Sequence, residues 1–341
     1  MSTEPDALRH LLAMSDQRGL FEHARGNERR LEHGYCTDDN ARLLVVASRA
    51  PDGGAAYELS RLALHFVRRA QDDVGRCRNR MDPAGRWTDA ASTEDCWGRS
   101  LWGFGVAAAH HDNSAVRRWA RQSFDKSIGQ RSPSLRSMAF AALGAAEIAD
   151  LDATTRKKSH DSPALALMAD MLAMVEPVPA GAWQWPEPRL RYGNASLAEA
   201  VIASGVALQR PDDTARGIRM LAWLLDNETV DGHLSVTGHG GYGPHDSRPQ
   251  FDQQPIEVAA MADACQRAYA VTGDPVWARG VAAAAAWFRG GNDVGLMMYD
   301  DLTGGGYDGL HAERVNLNQG AESTLAFVST MQRAELFESA V

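Results

Sequence analysis

Two kinds of helical segment alternate along the sequence, and that alternation limits the folds open to it. One kind carries a single apolar stripe. Across residues 57–71 the stripe is Leu59, Leu62, Ala63, Phe66 and Ala70, spaced at i, i+3, i+4, i+7 and i+11. Similar stripes run through Ile218, Leu221, Ala222 and Leu225, and through Val276, Val281, Ala284, Ala285 and Phe288. Helices of this kind keep one face in water. The other kind is apolar nearly all round, over residues 41–47, 101–109, 138–149, 197–208, 258–268 and 324–331. A helix without a polar face must be covered on several sides, and its many Ala and Gly residues let neighbouring backbones approach closely. The first kind reads as outer helices and the second as inner ones.

Each inner segment follows a loop rich in acids, amides, aromatics and glycine. The six junctions fall at Asp38, Glu94, Ser134, Asn194, Asp252 and Asn318, so the steps are 56, 40, 60, 58 and 66 residues. Each step holds two helices and two connections, as a helix-pair repeat requires. A first helix from Asp6 to Met14 supplies the outer partner of the sixth pair. The expected fold is therefore all-α, an (α/α)6 toroid formed as one domain by residues 1–341, with its polar loops gathered at one mouth. Strand signals are few. Residues 295–300 and 303–308 read as a short β-hairpin or long-loop insertion over the mouth, and residues 178–193, with Trp183, Trp185, Pro186 and Pro188, as a second rim.

Charge excludes some partners. A net charge of -9 and a pI near 5.7 leave no basic stripe to displace counterions, which argues against nucleic acid and anionic membranes. The start of the sequence lacks the basic and apolar regions of a signal peptide, and no apolar run reaches the roughly 20 residues needed to span a bilayer. A cytoplasmic protein without membrane insertion is expected. Cys36, Cys77, Cys96 and Cys265 are too widely spaced for a zinc pattern or a compact disulfide scaffold and read as reduced, buried thiols. The glycine-rich run at residues 238–243 follows no strand and opens no helix, so it does not read as a phosphate cradle. No nucleophile elbow occurs. The reading calls for no metal and no cofactor.

Acids at helix starts have a plain explanation, because carboxylates cap free N–H groups and complement the helix dipole. Ser92 with Asp95, Ser196 with Glu199 and Gln254 with Glu257 resemble capping boxes. Capping does not account for the set. Four of the six junctions carry acids in aromatic-rich, otherwise neutral surroundings, and Asp38–Asp39 supplies two carboxylates where one cap suffices. Brought together in a ring, carboxylates repel, so one holds its proton beside an ionised partner. Glycosidic cleavage needs that division of roles.

The expected acid and base or nucleophile are Asp39 and Asp95, tuned by Asp38 and Glu94, with Asp252, Glu257 and Glu322 as second choices across the ring. Sugar rings pack C–H faces on aromatic planes, and amides bond hydroxyls. Tyr35, Trp97, Trp185, Tyr192 and Tyr242, the amides Asn40, Asn194, Gln253, Gln254, Asn318 and Gln319, and Arg136 are the expected substrate-binding residues. Arg42 and Arg99 also follow junctions closely, where an ion pair is the commoner fate. Loop histidines, including His239, leave sugar isomerisation open.

The motifs at residues 34–42, 94–99, 251–257 and 318–324 resemble those of the six-hairpin glycosidase superfamily, and more closely a bacterial group often labelled glycosyltransferase-like. The resemblance covers nearly the whole sequence. It implies an (α/α)6 toroid with carbohydrate chemistry at the mouth formed by the inner-helix N-termini, commonly using Asp or Glu as acid and base. The label implies a functional association with a glycosyltransferase rather than transferase activity, because no Rossmann-like βαβ pattern is present. Three readings follow: a glycoside hydrolase or related phosphorylase, a sugar epimerase or isomerase of the same toroid fold, and a non-catalytic glycan-binding partner of a glycosyltransferase.

Overall fold

A computed structural model describes residues 4–51, 53–155, 162–178 and 181–338. Twelve α-helices occur among the described residues: α1 (Glu4–Ala13), α2 (Thr37–Arg49), α3 (Gly54–Ala70), α4 (Asp95–His110), α5 (Ser114–Ser127), α6 (Leu135–Thr154), α7 (Pro163–Met174), α8 (Asn194–Ala207), α9 (Pro211–Asn227), α10 (Pro255–Thr272), α11 (Pro275–Phe288) and α12 (Ala321–Glu338). The even-numbered helices form the inner ring: each packs on the next, and α12 packs on α2 to close it. Outside it, α3, α5, α7, α9 and α11 pack on the inner helices that precede them, while α1 packs on α12. This is the (α/α)6 toroid that the two kinds of helix imply. No described helix is long and apolar enough to cross a membrane.

The small residues of the inner helices set how closely they approach. A Cβ added at Gly144 of α6 would collide with the Leu101 carbonyl of α4, and one at Gly105 would meet Gly144. Outer helices show the expected half-burial: in α3, Leu59, Ala63, Phe66 and Ala70 are buried while Arg61 and His65 face water. All four cysteines are unpaired and buried.

Four two-stranded ladders punctuate the loops: β1 (Ala24–Arg25) with β2 (Glu28–Arg29), β3 (Tyr35–Cys36) with β4 (Arg80–Met81), β5 (Thr229–Val230) with β6 (His233–Leu234), and β7 (Gly309–Leu310) with β8 (Val315–Asn316). The pairing expected within residues 295–308 amounts to single bridges, Arg289 with Met297 and Tyr299 with Gly306, and the ladder lies further on. That excursion braces the start of α12 and gives no residue to the cavity lining described below. Gln319, just before α12, donates to Asp300 at 3.1 Å and accepts from the Thr303 hydroxyl at 2.6 Å.

Candidate active site

A cavity of about 410 Å³ opens at the inner-helix N-termini and runs two turns down the ring. Its upper wall holds Asp38, Asp95, Glu257 and Glu322 with Arg42, Arg99, Arg191, Tyr192, His239 and Gln254. Trp102 and Phe140 form an apolar side, their rings stacked 6.1 Å apart. Deeper down lie Val45, Val46, Ala259, Ala260, Ala326 and Ser329, with Glu199 and Asp263.

At the start of α2, sequence neighbours have opposite surroundings. Successive helix residues turn by about 100°, so Asp38 and Asp39 diverge. The free N–H groups of Thr37 and Asp38 are capped from outside the helix by Asn79 Oδ1, at 3.1 and 3.3 Å. The same amide donates to Asp38 Oδ2 at 2.9 Å, which leaves the other carboxylate oxygen near Arg99 Nη1 at 3.2 Å. Burial pushes the Asp38 carboxyl up, but Arg99, Arg42 and Asn79 outweigh it and hold Asp38 below its ordinary range. Asp39 is buried outside the cavity lining, against Cys36 at 3.0 Å and Arg42 at 2.6 Å. Burial raises it to about 7 despite Arg42, with the nearby charge of Glu322 contributing.

Arg99 joins two cavity acids. Its Nη2 lies 3.6 Å from Asp95, its Nη1 reaches Asp38, and its guanidinium sits 4.6 Å over the Phe140 ring. Asp95 also accepts hydrogen bonds from Ser137 at 2.8 Å and from the Tyr192 hydroxyl at 2.7 Å. Burial and this contact with Asp95 both raise the Tyr192 phenol. On the far side, Arg42 reaches Glu322 at 2.9 Å.

Glu257 has different company. Gly193 adopts a left-handed conformation (φ 58°) just before α8, and its N–H donates to Glu257 Oε1 at 2.6 Å, with the Asn194 N–H 3.4 Å from Oε2. Burial pushes Glu257 up to about 7, opposed by the Gly193 N–H and reinforced by the nearby charge of Glu228. Tyr192 and Gly193 therefore link the two sides of the mouth, one residue bonding Asp95 and the next Glu257. Arg136 fixes this loop, donating to the Tyr192 carbonyl at 2.7 Å and to Glu187 at 2.7 Å.

Of the residues expected from sequence, the cavity gathers Asp38, Asp95, Glu257, Glu322, Tyr192 and Gln254. The others lie elsewhere. Tyr35 is in the core, donating to Asp16, and Asn40 ties α2 to Leu20. Trp97 and Trp185 are fully buried, the latter stacked near Trp223. Asn194 bonds the Arg191 backbone, Tyr242 accepts from Asn227, and Gln253 accepts from Trp287. Asn318 accepts from the Gly26 N–H, Asp252 pairs with His311, and Glu94 is the exposed N-cap of α4 without a side-chain cap bond. The proposed capping boxes are also corrected: Glu199 pairs with Arg267, and Glu257 serves the start of α8, not of its own helix.

Sequence reasoning does not place Glu199, Asp263, Arg191, Thr237 or Phe140 at the site, and it reads Glu199 only as half of a capping box. A detectable signal existed for two of them, since Glu199 is the one acid of α8 and Asp263 stands in the middle of the apolar run that follows Glu257 in α10. Outside the cavity, Glu22, Cys36 and Asp39 each bring one ligand atom within 4.8 Å of the others. Arg80 and Arg42 already answer the two carboxylates there.

No protein-family model matches the sequence, and no curated protein matches it. Solved structures do. A cellobiose 2-epimerase from Bacillus thermoamylovorans superposes with a TM-score of 0.73 at 11% identity, covering 98% of each chain. A D-mannose isomerase gives 0.69 at 11% identity, over 99% of this chain and 96% of the other. An alpha-mannanase from Bacteroides thetaiotaomicron gives 0.61 at 10% identity, over 100% and 97%. The fold is the (α/α)6 toroid of these proteins, as the resemblance to six-hairpin glycosidases implied.

Proposed function

We propose that the protein is a glycoside hydrolase or related phosphorylase acting on an oligosaccharide or glycoconjugate, with Glu257 as general acid and Asp95 as base or nucleophile. One observation carries this reading: carboxyls in a single cavity have opposite electrostatic surroundings. Glu257 is bonded by backbone N–H groups and raised to about 7, whereas Asp38 and Asp95 share the Arg99 guanidinium. A carboxyl that keeps its proton up to about 7, in the same cavity as Asp38 held below its ordinary range, is the kind of division that glycosidic cleavage needs. Tyr192 and Ser137 hold Asp95 in place, and Trp102 offers an aromatic wall for a sugar ring. The epimerase, isomerase and mannanase named above all act on carbohydrates, which supports the substrate class.

A second reading, sugar epimerisation or isomerisation, draws support from His239 in the cavity wall and from the epimerase and isomerase among the neighbours. Product analysis over a glycan panel, with and without inorganic phosphate, separates the two. Shortened glycans, or a sugar phosphate when phosphate is added, support cleavage. An isomer of unchanged mass removes the hydrolase reading, and binding without turnover leaves only a glycan-binding role.

A further inference from the structure

Among the described residues, a band of buried ion pairs crosses the ring beneath the cavity and closes it on the side away from the mouth. Asp263 of α10 is held by Arg49 of α2 at 3.0 Å and by Arg333 of α12 at 2.5 Å, and it accepts from Ser329 at 3.1 Å. Glu199 of α8 is held by Arg267 of α10 at 2.8 Å. Arg267 continues to Glu147 of α6 at 2.8 Å, and Glu147 to His110 of α4 at 2.6 Å. All six inner helices contribute. Side-chain exposure is 5% at Asp263 and 4% at Glu199 but 52% at His110, so the band runs from the cavity floor to the opposite face of the ring.

The floor also has a chemical polarity. Asp263, Glu199 and Ser329 line the cavity, while their partners Arg49, Arg267 and Arg333 do not. What the floor presents upward is oxygen. Carboxylate oxygens accept hydrogen bonds from hydroxyl groups, whereas a ligand carboxylate has no proton to donate to them. Between this floor and the acids at the mouth, the wall is Val45, Val46, Ala259, Ala260, Leu325 and Ala326, an apolar collar for C–H surfaces. The volume of about 410 Å³ is near the lower end of the roughly 300–1,000 Å³ common for small-molecule sites.

We infer that the site takes a glycan end-on, admitting one chain terminus as far as the floor, and that the terminal ring is uncharged and hydroxyl-rich. The inference rests on the carbohydrate reading above and deepens it. A blind pocket has no room for chain continuing past the innermost ring. An acidic terminal sugar would set its carboxylate against Glu199 and Asp263. The bond acted on is then the one nearest the chain end, at the height of Asp95 and Glu257.

The test is binding, measured by calorimetry on the full-length protein at neutral pH, so it does not depend on which reaction follows. The probes are linear neutral oligosaccharides, macrocycles of the same sugar and linkage, and linear chains ending in a uronic acid. Linear neutral chains should bind at least tenfold more tightly than either comparison set. For any linear chain that is turned over, single-unit products should appear before intermediate lengths. Equal binding of linear and cyclic forms, or early products of mixed internal length, overturns the end-on inference alone. Equal binding of neutral and uronate-terminated chains overturns the chemistry assigned to the floor. If no glycan binds, the carbohydrate reading itself falls, and the inference with it.

Discussion

The α2–α4 arc and the start of α10 both bring acids to the same cavity, yet they treat them in opposite ways. On the α2–α4 arc a buried guanidinium is shared by Asp38 and Asp95, and Asn79 supplies a further donor to Asp38. At α10 the Glu257 carboxyl meets backbone N–H groups in a setting where burial dominates. Chemical type does not separate these carboxyls, and neither does position, since all stand in the first turn or at the edge of an inner helix. The difference lies in which of them was given a cation. A toroid can thus assign acid and base roles by where it places arginines.

The comparison breaks most directly at the two carboxyls themselves. Asp95→Asn and Glu257→Gln should each lower kcat by about 100- to 10,000-fold while the helical circular dichroism is kept. Wild-type kcat/KM should fall as the pH rises through about 7, when Glu257 loses its proton, and Glu257→Gln should abolish that limb. Full activity in both variants would show that the chemistry resides elsewhere on the ring.

Stability offers a second test. The folded-state value for Glu257 lies above its ordinary 4.5, so the folded protein holds this proton over a range where the unfolded chain releases it. Its contribution is fully present below about 4.5 and is lost as the pH rises through about 7. The displacement corresponds to roughly 3 kcal/mol. In urea titrations between about pH 4.5 and 8, wild type should lose that much more stability than Glu257→Gln. Parallel losses in the two proteins would mean that Glu257 titrates normally.

Arg99→Lys sharpens the other side of the comparison. An ammonium cannot span two carboxylates as a planar fork does, so Asp38 and Asp95 should lose their shared orientation. A fall in kcat of roughly 100-fold is expected, with an upward shift of the acid limb of the pH profile as Asp38 is released from the range in which Arg99 holds it. An unmoved limb would deny Arg99 this role. The smallest effect is expected for Tyr192→Phe, which deletes one donor to Asp95 and should cost about tenfold in kcat, with little change in unfolding because the residue is 45% exposed.

Much of the architecture is legible in the sequence, because hydrophobic periodicity reports burial directly. Helices that are apolar all round, such as α6 and α10, have to be inner, and striped helices such as α3 have to be outer. The site is legible only in part. Asp38 and Asp39 are alike in sequence, and only the phase of α2 and the distant Asn79 decide which one faces the cavity. The amides misled for a related reason. Asn40, Gln253 and Gln319 sit beside junction acids in sequence, but each meets a group distant in sequence that no local pattern announces. Trp97 and Trp185 fill the core, where large aromatics bury most surface.

Ring closure also governs how the chain is made. The inner helix α2 needs α12 beside it, and His10 reaches the backbone of Gln319 at 3.0 Å across 309 positions in sequence. During synthesis from the N-terminus, a helix buried on nearly every side therefore waits with one flank uncovered until α12 has emerged. Contacts this distant in sequence slow folding, because the entropy of closing so long a loop is lost before the contacts form. The protein should accordingly depend on chaperones more than a linear array of the same hairpins, whose neighbours complete one another as they appear.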